Sequence, residues 1–367
     1  MLVFYMHLLS ALNKAESVIG SAFFIKVLED VTAVNGKTKM KIAIRVDSST
    51  IIGSGHLMRC LTLAERKRKE NNEVIFVMRD LEGNLVRLAE EKGFAVKLLP
   101  RAEEDNSLSG YAAWLTVPKE RDAAETIAVL QGEGTIDLLV IDSYALDIEW
   151  ERRLRPYAKQ IFVIDDLANR QHDCDYLLDQ NFYLGMETRY DGLVPEHCEL
   201  RLGYKHALLR EEFYEAKKTM RQRDGKIRNV FVFFGGSDLT NETMKTLRAL
   251  EMLREKQEFT VTVVVGGSNA RKSEVEKFCD ESPWAEYYCQ VSNIAELMAK
   301  ADLAIGAGGT TTWERLFLEL PSVVIAVAEN QMQGAKDCAA AGLITYLGEV
   351  AEVSEDDIVV AVGKTMK

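Results

Sequence analysis

The stretch KIAIRVDSSTIIGSGHLMRC, residues 41–60, decides the expected fold of the chain. It opens with a short apolar run, Lys41–Val46, and continues through a loop that contains Gly53 and Gly55. Apolar residues with helical spacing follow the loop. A buried strand, a glycine-rich loop and a helix in this order are typical of the first unit of an α/β domain, because glycines let the backbone approach a ligand and the helix start offers free N–H groups.

Further apolar runs rich in Val, Ile and Phe predict more buried strands, and segments with helical spacing separate them. Because the runs show little alternation of polar and apolar residues, we expect helices to cover both faces of parallel sheets. The predicted strands are 74–78, 137–142, 160–165, 229–234, 260–265, 302–305 and 322–327.

The strands fall into two sets, separated by the charged segment Arg210–Lys226. We therefore predict an α/β protein with two Rossmann-like domains facing each other across a cleft. Residues 1–39 are interpreted as an N-terminal extension, residues 40–212 as the first domain and residues 213–367 as the second.

The charge, hydropathy and cysteine spacing of the chain disfavour several classes of function. The 367 residues include 57 acidic and 45 basic side chains, so the net charge is −12. This charge disfavours binding to nucleic acid or to an anionic membrane. The chain has no apolar run of about 18 residues and no basic region or cleavage site of a secretory signal. The six cysteines have no CxxC spacing and no HExxH motif is present, so we expect a cytoplasmic protein without a metal or cofactor.

His56 follows the glycines of the first loop. A histidine at the start of a helix is often a capping or packing residue. Here the predicted position is the carboxyl edge of a parallel sheet, where ligands bind in such folds. The positive end of the helix dipole disfavours an imidazolium, and a neutral imidazole can accept a proton from water.

Carboxylates follow two other strands of the first set. Asp142 and the pair Asp165-Asp166 stand at strand ends, where both could face the same cleft, although a capping role is the common explanation for such residues. Tyr144, two residues after Asp142, is a candidate for holding a water or a sugar hydroxyl.

Two glycine-rich loops of the second set suit anion binding. One is Gly235-Gly236-Ser237-Asp238, and the other runs from Gly306 to Glu314. Glu314 lies in the predicted first turn of a helix, where it could accept hydrogen bonds from ribose hydroxyls or simply complement the helix dipole. Asn330 and Gln331 form a polar patch after the next strand.

Four stretches together resemble one family. The family is the UDP-2,4-diacetamido-2,4,6-trideoxy-β-L-altropyranose hydrolase of pseudaminic acid biosynthesis, a relative of the two-domain GT-B glycosyltransferases, including the enzyme that forms lipid II. The resemblance covers about residues 41–350, and the motifs occur in the family's order. The stretches are RVDSSTIIGSGHLMRCLTLA, FFGGSD, GAGGTTTWERLFLELPSVVIAVAENQ and YKHALLREEF.

The resemblance implies a cytoplasmic enzyme of flagellin glycosylation that hydrolyses the anomeric C–O bond of its UDP-sugar. The implied reaction needs no metal, inverts the anomeric carbon and releases UDP and the free sugar. His56 matches the general base, Tyr144 and Asn330 match residues near the sugar and the water, and Glu314 matches the ribose-binding acid. The implied substrate-binding set also contains Gly53, Gly55, Arg210, Gly235, Gly236, Ser237, Thr311, Thr312 and Gln331.

Two other functions remain open from the sequence. A GT-B glycosyltransferase that uses a UDP-amino sugar donor would employ His56 to deprotonate an acceptor hydroxyl. A non-catalytic nucleotide-sugar-binding protein would bind the ligand without needing His56.

Overall fold

The computed structural model describes residues 39–366, except 104 and 106. The predicted extension, residues 1–39, thus lies outside the described residues apart from Lys39. The chain divides into two compact units. Unit 1 runs to Gln180 and also contains Met186–Leu208, whereas unit 2 consists of Asn181–Gly185 and the chain from Leu209 onward.

Unit 1 is built on a parallel sheet of seven strands in the order β3-β2-β1-β4-β5-β6-β7. Its strands are β1 (Lys41–Val46), β2 (Glu73–Arg79), β3 (Ala95–Leu99), β4 (Ile136–Asp142), β5 (Ala158–Ile164), β6 (Tyr176–Asp179) and β7 (Glu199–Leu202). Its helices are α1 (Gly55–Lys69), α2 (Val86–Glu91), α3 (Lys119–Glu133) and α4 (Ile148–Leu154).

Both faces of this sheet are buried. Successive side chains of β1 point to opposite faces, so Ile42 and Ile44 pack with Leu57 of α1 on one side. Ala43 packs on the other side, in the same cluster as Trp150 of α4. A strand buried on both faces needs an uninterrupted apolar run, which explains why the sequence IAI predicted β1 so clearly.

Unit 2 repeats the design with six parallel strands in the order β10-β9-β8-β11-β12-β13. Its strands are β8 (Asn229–Phe233), β9 (Thr260–Val265), β10 (Ala285–Cys289), β11 (Leu303–Ala307), β12 (Ser322–Ala326) and β13 (Thr345–Glu349). Its helices are α5 (Glu211–Thr219), α6 (Glu242–Arg254), α7 (Lys272–Asp280), α8 (Ile294–Lys300), α9 (Thr311–Phe317), α10 (Glu329–Ala340) and α11 (Glu355–Thr365).

The two Rossmann-like sheets confirm the predicted fold class. All eight predicted strands are present, with ends that differ by two residues or fewer. Five strands were not predicted, namely β3, β6, β7, β10 and β13. They lie at or next to the sheet edges, where one side of a strand faces solvent and the apolar run is broken by polar residues. No helix in the described part of the chain has the length and apolar character that crossing a bilayer requires.

A buried ion-pair network fixes the carboxyl ends of β1 and β2. Arg45 and Arg79 are fully buried, and each donates an Nη2 hydrogen bond to Asp122 Oδ2 of α3, at 2.7 and 2.8 Å. Trp150 Nε1 donates to the same carboxylate at 3.0 Å. Burial alone would raise the pKa of Asp122, but the two guanidinium groups outweigh it and hold the pKa below its usual range. The strand ends that precede the site loops are therefore held rigidly.

Replacing Asp122 by Ala should reduce the free energy of unfolding by about 3–5 kcal/mol, because two buried arginines would lose their shared counter-charge. Urea denaturation followed by tryptophan fluorescence measures the change. Glu296→Ala is the control, since Glu296 and Lys300 form an exposed pair, and its denaturation midpoint should stay near that of the unmodified protein. An equally small effect of Asp122→Ala would contradict the assigned role.

Candidate functional site

The loop between β1 and α1 forms the floor of the candidate site in unit 1. Gly53 has a φ of +77°, which favours glycine, and its N–H donates to Ser49 O at 2.9 Å. α1 begins at Gly55. No described atom lies within 4 Å of the position that a Cβ would take at Gly53 or Gly55. The two predicted glycines therefore leave open space in front of the first turn of α1.

His56 forms a short, buried pair with Asp142 at the end of β4. The distance from His56 Nδ1 to Asp142 Oδ1 is 2.6 Å, and the residues are 8% and 1% exposed. The two residues meet because the carboxyl ends of the neighbouring parallel strands β1 and β4 reach the same edge of the sheet. The pair joins a titratable ring to a buried carboxylate that orients it.

Arg59, one turn after His56 on α1, completes a clamp around this carboxylate. Its Nε and Nη2 donate to Asp142 Oδ2 and Oδ1 at 2.6 and 2.7 Å, and its Nη1 donates to Asp166 Oδ2 at 2.6 Å. Tyr144 also donates its hydroxyl to Asp166 Oδ2, at 2.7 Å. One arginine thus links the histidine pair to the tyrosine.

The clamp fixes the protonation of the pair. Burial would raise the pKa of Asp142, but the charge of Arg59 and the hydrogen bonds from Arg59 and His56 hold it well below its usual range. An ionised carboxylate only accepts hydrogen bonds, so the hydrogen of neutral His56 must lie on Nδ1. Arg59 Nη2 also lies 3.2 Å from Nδ1, but it donates to Asp142 Oδ1 over the shorter distance of 2.7 Å. The lone pair on Nε2 is then free, and no described group bonds to it.

Tyr144 is held in the neutral form. Burial and the neighbouring Asp166 carboxylate together raise the pKa of its phenol above the usual range. The hydroxyl donates to Asp166, and its oxygen can still accept a hydrogen bond from a ligand. Tyr144 is therefore suited to positioning a hydroxyl or a water and unsuited to acting as a base.

Asp142 corrects one expectation from the sequence. Capping was the expected role of a strand-end aspartate, yet Asp142 accepts from His56 and Arg59 side chains. Asp165 has the structural role expected of a strand-end aspartate, because it accepts a hydrogen bond from the Ala168 N–H at 2.8 Å and pairs with Arg170. Arg59 was not singled out from the sequence. The spacing of Arg59 three residues after His56, on one helix face, is the signal that was available.

The loop after β8 in unit 2 has the turn geometry expected for Gly235-Gly236-Ser237-Asp238. Gly235 has a φ of +89°, and the Gly236 carbonyl accepts from the Ser268 hydroxyl at 2.8 Å. Asp238 accepts from the backbone N–H groups of Glu242 and Thr243 at 2.9 and 3.0 Å. Asp238 therefore caps α6, while Ser237 is exposed.

A buried arginine lies under the loop after β11. Arg315 is 1% exposed and donates to Ala307 O at 2.8 Å and to Thr312 Oγ1 at 3.0 Å. It has no salt bridge among the described residues, and burial lowers its pKa to about 10 although Glu314 opposes this shift. Thr312 is buried and Thr311 is half-buried. The backbone N–H groups of residues 309–311 bond to no described group, so they are available to an anion.

Glu314 follows in the first turn of α9, with one oxygen paired and one unpaired. Arg210 Nη2 lies 3.2 Å from Oε1, whereas the buried Oε2 has no hydrogen-bond partner among the described residues. Burial raises the pKa of Glu314, and Arg210 opposes that effect. Arg210 itself also pairs with Glu212 at 2.5 Å. A buried carboxylate oxygen without a donor costs free energy that a bound hydroxyl would recover.

The patch after β12 holds Asn330 and Gln331 in the first turn of α10. Asn330 is exposed. Gln331 Oε1 accepts from the backbone N–H groups of Gly308 and Val327 at 3.2 and 3.1 Å. Gln331 thus ties together the loops that follow β11 and β12, a structural contribution in addition to the ligand contact predicted for it.

The predicted site residues therefore form groups within each unit. Unit 1 brings His56 and Tyr144 together beside the open loop, with Gly53 and Gly55. In unit 2, Arg210 meets Glu314, and Gln331 meets the glycine loop. The remaining predicted residues of unit 2 lie in the loops or first turns after β8, β11 and β12, namely Gly235, Gly236, Ser237, Thr311, Thr312 and Asn330.

Comparison with known proteins places the chain in a family. Residues 229–366 match the glycosyltransferase family 28 C-terminal domain. The UDP-2,4-diacetamido-2,4,6-trideoxy-β-L-altropyranose hydrolase of Campylobacter jejuni is 30% identical over 293 residues, which are 80% of this chain and 93% of that protein. The chain belongs to the UDP-2,4-diacetamido-2,4,6-trideoxy-β-L-altropyranose hydrolase family.

The chain is also similar to other proteins in sequence or in structure. The uncharacterized protein MJ1062 of Methanocaldococcus jannaschii is 30% identical over 305 residues, which are 80% of this chain and only 57% of that protein. MurG of Acinetobacter baumannii has a similar structure, with a TM-score of 0.62 at 12% identity, covering 90% of this chain and 91% of MurG. The spinosyn rhamnosyltransferase SpnG has a TM-score of 0.55 at 14% identity, covering 89% and 92%. These structures confirm the GT-B-like fold.

The clamp predicts one tautomer for His56 in this hydrolase-family chain. In mildly alkaline buffer, long-range ¹H–¹⁵N spectra should show His56 protonated on Nδ1, because only that nitrogen faces the ionised Asp142. Asp142→Asn should move hydrogen to Nε2, since an amide can donate to Nδ1. His197 is the internal control, as its side chain is 62% exposed. An Nε2–H tautomer in the unmodified protein would contradict the assignment.

Proposed function

We propose that the protein is a metal-independent hydrolase that cleaves the anomeric C–O bond of a UDP-sugar. The observation that carries the proposal is the His56–Asp142 pair at the carboxyl edge of the sheet, which leaves the Nε2 of a neutral His56 unprotonated. A histidine oriented by a buried carboxylate is suited to remove a proton from water at neutral pH.

The proposed hydrolysis uses one water molecule and no other reactant besides the UDP-sugar. The oxygen of a water molecule bonds to the anomeric carbon while His56 Nε2 takes a proton from that water. The C–O bond to the diphosphate breaks, and UDP leaves with the electron pair, so no acid is needed to protonate it. Direct attack by water on the face opposite the leaving group inverts the anomeric carbon. The ionised Asp142 stabilises the imidazolium that forms.

Unit 2 supplies the proposed nucleotide contacts. Glu314 Oε2 is a buried acceptor that ribose hydroxyls would satisfy, and Arg210 opposes the rise that burial causes in the pKa of this carboxyl. The free N–H groups after β11 suit the diphosphate, because their dipoles neutralise negative charge. The proposed contact set is completed by Gly53, Gly55, Gly235, Gly236, Ser237, Thr311, Thr312 and Gln331, with Tyr144 and Asn330 near the reacting sugar.

The printed activity of the C. jejuni relative supplies the proposed substrate. We infer that the chain hydrolyses UDP-2,4-diacetamido-2,4,6-trideoxy-β-L-altropyranose in pseudaminic acid biosynthesis, in the cytoplasm. The alternative is a glycosyltransferase that uses a UDP-amino sugar, which the family 28 domain and the GT-B-like fold support. Release of UDP in the absence of any acceptor, with the free sugar identified by NMR, separates hydrolysis from transfer.

His56→Ala should lower the turnover of this UDP-sugar by roughly 10²-fold to 10⁴-fold, because water would lose its base. UDP affinity, measured by calorimetry, should stay close to that of the unmodified protein. His197→Ala is the matched control for loss of an imidazole and should keep full turnover. Near-normal turnover in His56→Ala would exclude His56 as the base. An unmodified chain that binds UDP but releases none from the UDP-sugar would instead favour a binding protein.

Glu314→Ala should weaken UDP binding and remove any preference for UDP over 2′-deoxy-UDP. Hydrogen bonds to a charged group contribute about 1.5–3 kcal/mol, or roughly 10-fold to 100-fold in affinity. Titration calorimetry of the unmodified protein and of Glu314→Ala, each with both nucleotides, gives four affinities that form a thermodynamic cycle. The cycle compares the loss of the carboxylate with the loss of the 2′-hydroxyl. Glu296→Ala, an exposed glutamate of α8, should retain the preference. A preference for UDP that survives in Glu314→Ala would exclude the ribose role.

A further inference from the structure

An aromatic cluster surrounds His56 and is not used by the proposed proton transfer. Trp114 lies 5.8 Å from His56 between ring centroids, and Tyr144 lies 4.6 Å from it. Tyr111 contacts both other aromatic residues, at 4.9 Å from Trp114 and 5.1 Å from Tyr144. The ring planes of Trp114 and Tyr144 make an angle of 32°, and their centroids lie 5.4 Å apart. We call Tyr111, Trp114 and Tyr144 the aromatic wall.

The backbone that carries Tyr111 and Trp114 is held firmly. Both residues lie on a 3₁₀ turn, Gly110–Leu115, between β3 and α3. Gly110 at one end and Thr116 at the other have φ values of +57° and +58°, and Leu115 beside them is 1% exposed in the core of unit 1. Two left-handed backbone positions and a buried anchor define the course of the backbone from which the two rings project.

Core packing does not account for these rings. Tyr111 is 42% exposed, and Trp114 and Tyr144 are half-buried, whereas the structural tryptophan of this unit, Trp150, is fully buried. Exposed aromatic surface next to a polar, oriented histidine is a common property of ligand sites, in which large apolar faces bind and a few polar groups orient. The C–H groups on one face of a hexose, and methyl substituents, fit against such faces.

We propose that Tyr111 and Trp114 bind the hexose of the nucleotide sugar and select sugars that carry methyl groups. This inference rests on the proposed function, because it assigns the reacting sugar to the surroundings of His56. A methyl group against the rings loses water at little cost. A hydroxyl packed against the ring faces of Tyr111 and Trp114 would lose its hydrogen bonds to water, since these faces offer it no comparable polar partner.

The kinetic test compares the UDP-2,4-diacetamido-2,4,6-trideoxyhexose with its 6-hydroxy counterpart. The unmodified protein should prefer the 6-methyl substrate in kcat/KM by roughly 10-fold to 200-fold, the range of a methyl group in an apolar pocket. Trp114→Ala and Tyr111→Ala should each lose most of this preference while the inhibition constant of UDP stays unchanged. Tyr288→Ala in β10 is the control and should keep the preference.

A binding test separates this inference from hydrolysis. Saturation-transfer NMR on the full chain with the free diacetamido-trideoxyhexose should show strong transfer to its methyl protons. Trp114→Ala and Tyr111→Ala should lose the transfer, and Trp114→Phe should keep most of it, which distinguishes ring loss from misfolding. Transfer that persists in both Ala variants, or is absent from the unmodified protein, would overturn the aromatic-wall assignment. If the variants change saturation transfer as expected but the unmodified protein releases no UDP, the proposed hydrolysis is overturned and the aromatic-wall assignment stands.

Discussion

The candidate site of unit 1 depends on one buried carboxylate. Asp142 is 1% exposed and stays ionised because the charge of Arg59 and the hydrogen bonds from Arg59 and His56 outweigh its loss of hydration. Without it, Arg59 would keep a single carboxylate partner and His56 would lose the group that orients its ring. The clamp therefore has a structural and a chemical consequence at once, since the same bonds that satisfy the buried charges select the tautomer of His56.

The polar groups of unit 2 are arranged differently. In the clamp of unit 1 each carboxylate is matched by donors, whereas Glu314 retains a buried oxygen without a described donor and Arg315 retains a buried charge without a described carboxylate. Unsatisfied buried groups are costly and uncommon in folded proteins, so they need a reason. A ligand with hydroxyls for Glu314 and negative charge for the loop above Arg315 would supply one. The clamp around Asp142 thus has its donors before a ligand binds, whereas Glu314 and Arg315 would be satisfied only with a ligand in place.

A feature of this protein can be predicted from the sequence when the interactions that produce it join residues close together in the chain. The strands β1, β4, β8 and β11 follow from local runs of apolar residues, and the glycine loops after β1, β8 and β11 follow from local composition. His56 was identifiable because its placement after a glycine loop is also local. Asp142 was expected to be a cap, since its partner lies 86 residues away and no local pattern distinguishes the two roles. The edge strand β3 was missed because half of its surface is exposed.

The His56–Asp142 pair does not by itself distinguish a hydrolase from a transferase. An unprotonated Nε2 accepts a proton from water or from the hydroxyl of an acceptor sugar with similar ease, because both have a similar acidity. The choice between them must therefore come from the groups around the reacting carbon, which either hold an acceptor or leave room only for water. Around His56 the described neighbours are the ring of Tyr144, the ring of Trp114 and the Arg59 clamp. Apolar ring faces bind one sugar well and offer few polar contacts to orient a second, which favours water as the attacking molecule.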